Sequence, residues 1–239
     1  VAGVETFSLA GRAVRLSGSL HAVRLWRVEL DRPPEDVARL SDVLDPPERA
    51  RAASFRYDCD RNRFVVGRAI LRLLLAADGN EDPEVLRLQT NAYGKPELAA
   101  NRRHFNFSRS GGSALLAIGG APLGIDLERV RPVAEKERIA EQVFGHHERA
   151  WMRAVTDPER TARFFQLWTR KEALVKAAGR GLSEDLRRFD TLCDQRTLVE
   201  IAAWGDRWQI SDLCYPRGHF AALAIHLGEV PGHSSERCD

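Results

Sequence analysis

GGSALLAIG at residues 111–119 and GHFAALAIH at 218–226 decide how this chain of 239 residues is organised. Each sets small residues before an apolar run of strand length, and each closes a similar succession of elements. Upstream of the first copy, strands are expected at 85–89 and 104–108, the latter leading into 113–119. Val66, Ala69, Ile70, Leu73 and Leu74 recur at three- and four-residue spacing and predict a helix over 60–77. HAVRLWRVEL at 21–30 alternates as a half-buried strand does. Upstream of the second copy, FFQLWTRKEALVKAA reads as a long helix, followed by strands at 198–203, 207–213 and 219–227. Any two buried strands share a composition of this kind, but the order of elements repeats as well. The expectation is two similar units side by side, each mixing helices with strands, with the cleft between them as the natural ligand site. The bounds expected are 21–121 and 122–227. Residues 1–20 read as an extension and 228–239 as a polar tail.

Composition narrows the chemistry. Lys plus Arg number 36 against 34 Asp plus Glu, a formal charge of +2, so no broad cationic field is available for nucleic acid. Only Lys95, Lys136, Lys171 and Lys176 are lysines, and arginine supplies every other basic side chain. Cys59, Cys193, Cys214 and Cys238 are scattered without a CxxC pair, which suits a reducing, cytoplasmic setting. The greasiest stretch, FVVGRAILRLLLAA, is broken by Arg68 and Arg72, so no membrane association is expected.

Three constellations could carry chemistry. In PLGIDLERV at 122–130, Asp126 and Glu128 share one face of a strand while Ile125 and Leu127 take the other. Two acids so placed repel unless a cation lies between them, although an amphipathic strand with a wet face has the same pattern. In QLWTRKEALVKAAGRGL at 166–182, Trp168, Glu172 and Lys176 share a helix face. An ordinary i,i+4 ion pair would look the same, and Gly179 and Gly181 would end the helix. Finally, Arg49, Arg51, Arg63, Lys95 and Arg109, with Ser108 and Ser110, could gather into a phosphate site. There is neither a GxxxxGK[ST] loop nor a GxGxxG fingerprint, so phosphates would be held by scattered cations and a metal.

YGKP at 93–96, FNFSRS at 105–110, GIDLE at 124–128, VFGHHE at 143–148 and WTRKEALVKAAGRGL at 168–182 together resemble the ordered motifs of Sfp-type phosphopantetheinyl transferases. The match runs from about residue 49 to 182, and GIDLE followed by WxxKEAxxK is its specific part. The resemblance implies a pseudo-twofold pair of α+β subdomains with coenzyme A in the cleft. It implies that Asp126, Glu128 and Glu172 hold magnesium against the coenzyme A pyrophosphate, that Lys176 neutralises the diphosphate, and that Glu172 is a candidate base. Arg51, Arg63, Lys95 and Ser108 fall where the family contacts the nucleotide and its 3′-phosphate. Arg109 stands where the family usually has His. Glu48 occupies a position the family gives to a cation, leaving Arg49 one residue off, and Glu148 aligns with an acid near the metal.

The activity so implied is transfer of 4′-phosphopantetheine to a serine of an apo acyl or peptidyl carrier protein by a monomer. Two rivals stand beside it. A module that binds coenzyme A or a carrier without chemistry has no need of three acids together, whereas a magnesium-dependent pyrophosphate hydrolase would keep all three and deliver the group to water.

Overall fold

Strands buried on both faces need apolar residues at every position, and this is what the two repeated runs supply. The computed structural model describes residues 11–14, 23–99, 103–181, 185–192, 198–216 and 218–230. The chain runs β1 (Gly11–Val14), β2 (Val23–Glu29), α1 (Pro34–Ser41), α2 (Pro46–Ala53), α3 (Asp58–Gly79), β3 (Leu88–Thr90), β4 (Pro96–Leu98), β5 (His104–Ser110) and β6 (Ser113–Gly119). It continues through β7 (Leu123–Arg129), α4 (Lys136–Val143), α5 (His146–Arg153), α6 (Glu159–Ala178), β8 (Leu198–Ala203), β9 (Asp206–Asp212) and β10 (His219–Glu229).

One antiparallel sheet has the order β1-β2-β6-β5 and a second the order β7-β10-β9-β8, with β3 and β4 forming a separate hairpin. The α+β class expected from the sequence is therefore what the chain adopts. In each half a strand is followed by three helices. The last strand of the half then returns to pair with that first one, and the strand before it pairs on the outer side. The repeat is one of topology.

On β6, Ala114, Leu116 and Ile118 point to a core shared with Val66, Ala69, Ile70 and Leu74 of α3, whereas Leu115 and Ala117 point the other way. That opposite face meets Ile125 and Leu127 of β7 and Leu223 and Ile225 of β10, so the sheets share an apolar layer. Ala222 and Ala224 of β10 face Ala173, Leu174 and Ala177 of α6. Each long helix thus covers its sheet from outside the shared layer.

Some elements differ from expectation. The helix expected at 60–77 spans Asp58–Gly79, and the strand expected at 85–89 is the shorter β3, displaced to Leu88–Thr90. Gly11–Val14, inside the stretch read as an extension, pairs with β2. Residues 1–10, 15–22 and 231–239, which complete the expected extension and most of the tail, lie outside the described residues.

Gly124 is where α6 comes closest to β7. A Cβ there would lie 2.2 Å from both the Ala173 carbonyl oxygen and the Ala177 nitrogen, and helix backbone has no rotamer by which to yield. The helix ends just beyond this contact at Gly179, whose φ of 66° is the left-handed cap glycine adopts freely. We predict that Gly124→Ala destabilises the protein by at least the ~1–3 kcal/mol usual for overpacking. Urea denaturation checks this, and a variant of unchanged midpoint would refute the close approach.

Candidate active site

The two sheets meet edge to edge through side chains. One edge of β7 is paired with β10, which leaves the amides of its other edge without a ladder. Three β5 residues at two-residue spacing take them. Asn106 Oδ1 accepts from Ile125 N–H at 2.8 Å, Ser108 Oγ from Leu127 N–H at 3.2 Å, and Ser110 Oγ from Arg129 N–H at 2.9 Å. Each serine then gives its own proton to the adjoining acid. Ser108 donates to Asp126 Oδ1 at 2.9 Å and Ser110 to Glu128 Oε2 at 3.0 Å.

Helix α6 supplies the other side of the site. Lys176 Nζ lies 2.5 Å from Asp126 Oδ1 and donates to Ser108 Oγ at 3.3 Å. Glu172 sits one turn earlier on the same face. Burial pushes its carboxyl up to about 7; Lys176 opposes the rise, and Asp126 and Glu128 add to it. Burial likewise raises Glu128, with the Asp126 charge assisting. The four residues, Asp126, Glu128, Glu172 and Lys176, therefore sense one another's charge.

Among the described residues, no group of three or more His, Cys, Asp or Glu is gathered into a ready-made metal cage. The Lys176 ammonium lies directly on Asp126 and compensates its charge. Asp126 Oδ2, in contrast, is buried without a hydrogen-bond partner.

On β5 the residues alternating with the serines face α3. Phe105, Phe107 and Arg109 line a cavity of about 250 Å³ together with Arg63, Phe64, Gly67 and Arg68. Arg63 is held there by Asp31, Nε to Oδ1 at 2.6 Å. Arg109 thus looks into a space with two other arginines, away from Ser108.

A sequence profile described as the 4′-phosphopantetheinyl transferase superfamily matches residues 122–224, which include Asp126 and Glu128 of β7 and Glu172 and Lys176 of α6. The chain is 36% identical over 189 residues to the 4′-phosphopantetheinyl transferase HetI of Nostoc sp., covering 76% of this chain and 80% of that protein. This chain belongs to the 4′-phosphopantetheinyl transferase family. It is also 30% identical over 182 residues to the 4′-phosphopantetheinyl transferase Sfp of Bacillus subtilis, covering 75% of this chain and 80% of the relative. A phosphopantetheinyl transferase of Thraustochytrium sp. is 28% identical over 199 residues, across 75% and 69% of the two chains.

Not every residue singled out in the sequence of this transferase joins the site. Lys95 lies against the seam, where its ammonium donates to the Leu123 carbonyl at 3.1 Å and the Ala177 carbonyl at 3.5 Å. Burial draws it down to about 8, with Glu97 opposing. It borders a different cavity from Arg63, beside Arg103 and His104. Arg51 is exposed on α2 with its guanidinium 5.5 Å from the Phe55 ring centre, and Arg49 is exposed as well.

Glu48 is no stand-in for a cation. It closes the capping box of α2 with Asp45 and accepts from the fully buried Arg72 at 2.6 Å. Glu148, aligned with a family acid near the metal, is fully buried against Lys171 at 2.9 Å. It also accepts from Gly145 N–H and from both the amide and hydroxyl of Thr191. Its oxygens are spent on holding 186–191 to α5 and α6, so it belongs to the scaffold. The sequence reading missed Asn106, the seam role of Ser110, and Arg68 in the cavity. The Asn-x-Ser-x-Ser alternation of FNFSRS was the available signal for the first two.

The raised Glu172 sets a sign. Its neutral form is the one the fold favours, so its contribution is full below its ordinary value of 4.5 and is lost as pH rises through about 7. Glu172→Gln removes this titration. In thermal melts without divalent metal, the variant should exceed the parent in Tm by about 2–8 °C near about pH 8 and lose that advantage below about pH 4.5. A variant less stable than the parent near about pH 8 would mean that the fold welcomes the ionised carboxylate.

Proposed function

We propose that this transferase moves 4′-phosphopantetheine from coenzyme A to a serine hydroxyl of an apo acyl or peptidyl carrier protein, with magnesium, releasing adenosine 3′,5′-bisphosphate. One arrangement carries the reading. Asp126, Glu128, Glu172 and Lys176 converge at the seam, and an arginine-lined cavity opens on the other face of the same strand β5. The two halves, of like topology and taken as related by an approximate twofold axis, would together form the cleft within one chain, which needs no second copy.

In the transfer the serine oxygen bonds to the β-phosphorus of coenzyme A as the bond from that phosphorus to the bridging oxygen breaks. The nucleotide bisphosphate leaves, and the serine proton goes to a base. Glu172 is the candidate for that last task, because burial raises its carboxyl in the metal-free site and so favours its taking up a proton. Lys176 is half-buried, so its ammonium can pass from Asp126 to the pyrophosphate without leaving the site. Arg63 and Arg109 would hold the nucleotide phosphates, and the phenylalanine floor offers apolar surface to the nucleoside.

Asp126, Glu128 and Glu172 offer the hard oxygens that magnesium takes, and the unpartnered Asp126 Oδ2 suits such an ion. When bound there, the metal supplies charge neutralisation on the pyrophosphate. No helix among the described residues is long and apolar enough to cross a membrane. The exposed free thiols of Cys59 and Cys214 suit a cytoplasmic, reducing compartment.

Incubation with coenzyme A, magnesium and an apo carrier protein, read by the carrier's intact mass, tests the reaction. A carrier that gains no phosphopantetheine while coenzyme A is cleaved would place the chain with hydrolases. Asp126→Ala is expected to lower transfer on the order of 10²–10³-fold, the range for removing one transition-state stabiliser. Near-parental turnover at saturating magnesium would remove Asp126 from the site.

The cavity yields a separate expectation. Arg63→Ala and Arg109→Ala should raise KM for coenzyme A more than for dephospho-coenzyme A, by roughly 10–100-fold if each gives up a charge-assisted hydrogen bond. Lys95→Ala, at the seam, should affect both substrates alike. Equal losses on both substrates in the arginine variants would move the 3′-phosphate elsewhere.

A further inference from the structure

Ser110 closes the β5 strand just before the Gly111–Gly112 turn and pairs with Ser113 across it. Its hydroxyl has one proton to give, and that proton goes to Glu128 Oε2 at 3.0 Å. Ser110 Oγ itself accepts the Arg129 amide at 2.9 Å. This repeats, one strand period along, the way Ser108 accepts the Leu127 amide and donates to Asp126. With its proton so committed, Ser110 has no donor left for a phosphate, although the sequence alone suggested one.

We propose that Ser110 is a positioning residue for the transfer reaction, fixing the Glu128 carboxylate toward Glu172 and Lys176 as Ser108 fixes that of Asp126. The two serines form a register clamp. Because each grips both the amide of one β7 residue and the acid of the residue before it, the carboxylates are indexed to the backbone as well as oriented. The bond spans between β5 and β7 are constant at 19 residues for the amides and 18 for the acids. A slip of one residue would turn both acids into the apolar layer. Without the clamp, Glu128 retains its place in the strand but loses the contact that selects its rotamer. A metal or pyrophosphate at the site would then meet a mobile ligand in place of a fixed one.

This inference rests on the reading of Asp126, Glu128 and Glu172 as the metal-holding acids, and the test separates the two. Manganese binding in the presence of coenzyme A is measured at equilibrium by electron paramagnetic resonance for the parent and for Ser110→Ala, Ser110→Thr, Ser110→Val and Asp126→Ala. Thermal melts and carrier modification as a function of magnesium run in parallel. Thr keeps the hydroxyl, and Val matches Thr in shape without it, so this pair carries the test if Ser110→Ala fails to fold.

Ser110→Ala and Ser110→Val should weaken manganese binding, and raise the magnesium needed for half-maximal transfer, by about 10-fold. Ser110→Thr should stay within about threefold of the parent, the hydroxyl being retained. The preference for coenzyme A over dephospho-coenzyme A should not change. If Thr and Val lose metal affinity alike, or if Ala binds manganese as the parent does while Asp126→Ala does not, the positioning role is overturned and the acid site stands. If Asp126→Ala itself binds as the parent does, the acid site falls and this inference falls with it.

Discussion

The constraint on which the rest of the structure depends is the row of amides on the free edge of β7. A buried N–H without an acceptor costs about 1–3 kcal/mol, and the amides of Ile125 and Leu127 are buried. A neighbouring strand would ordinarily take them in a backbone ladder. Here β5 offers side chains, and a side chain can do what a carbonyl cannot: a serine oxygen accepts the amide and donates onward to an acid. Joining two sheets in this way turns a structural necessity into a means of holding carboxylates. It also explains why Asp126 and Glu128 are stable as a pair on one strand face, since each has a hydroxyl proton of its own before any cation is considered.

The seam alone would leave the acids facing nothing. Helix α6 completes the site because Gly124 has no Cβ, so the helix backbone comes down onto β7 and brings Lys176 to Asp126. The helix is also anchored from behind. Lys171 points into the scaffold, where it pairs with Glu148 and donates to the Leu186 carbonyl. Arg170 fixes Asp212 through two bonds of 2.7 Å and the Thr191 carbonyl through one of 2.6 Å. Two lysines five residues apart on one helix thus serve different ends. Lys171 is completely buried and committed, whereas Lys176 keeps part of its side chain in solvent and a charge it can redirect.

Much of this was legible in the sequence, for reasons that can be named. Period decided the long helices and the central strands, because α3, α6, β6 and β10 bury enough surface for the pattern to be unambiguous. The alternation in GIDLE placed both acids on one face, and the spacing of Glu172 and Lys176 placed them on one turn. What could not be read was which polar residues were already spoken for. Glu148 and Glu172 are both acids in half-apolar surroundings in sequence, yet Glu148 takes four donors from Gly145, Lys171 and Thr191, the last far along the chain. Ser110 reads as a phosphate ligand in sequence, yet its hydroxyl is committed to Glu128. Short elements such as β3 and β4 carry too few residues for any period to register.

The abundance of arginine poses the same question of commitment in its sharpest form, and burial answers it. Arg72 and Arg170 are almost wholly excluded from solvent, each satisfied by carboxylates and carbonyls, and removing any partner would strand a charge where desolvation costs several kcal/mol. Such residues cannot be lent to a ligand. Arg63 is also paired, bidentate with Asp31, but that aspartate is 65% exposed, and ion pairs of this sort are worth about 0–1 kcal/mol in water. A phosphate entering the cavity can therefore displace Asp31 at little cost. Arg109, exposed on the same rim, adds a second forked donor without a buried commitment. An arginine can serve a ligand when its present partner is cheap to leave, and Arg63 and Arg109 meet that condition on the α3 side of β5 while the acids occupy its β7 side.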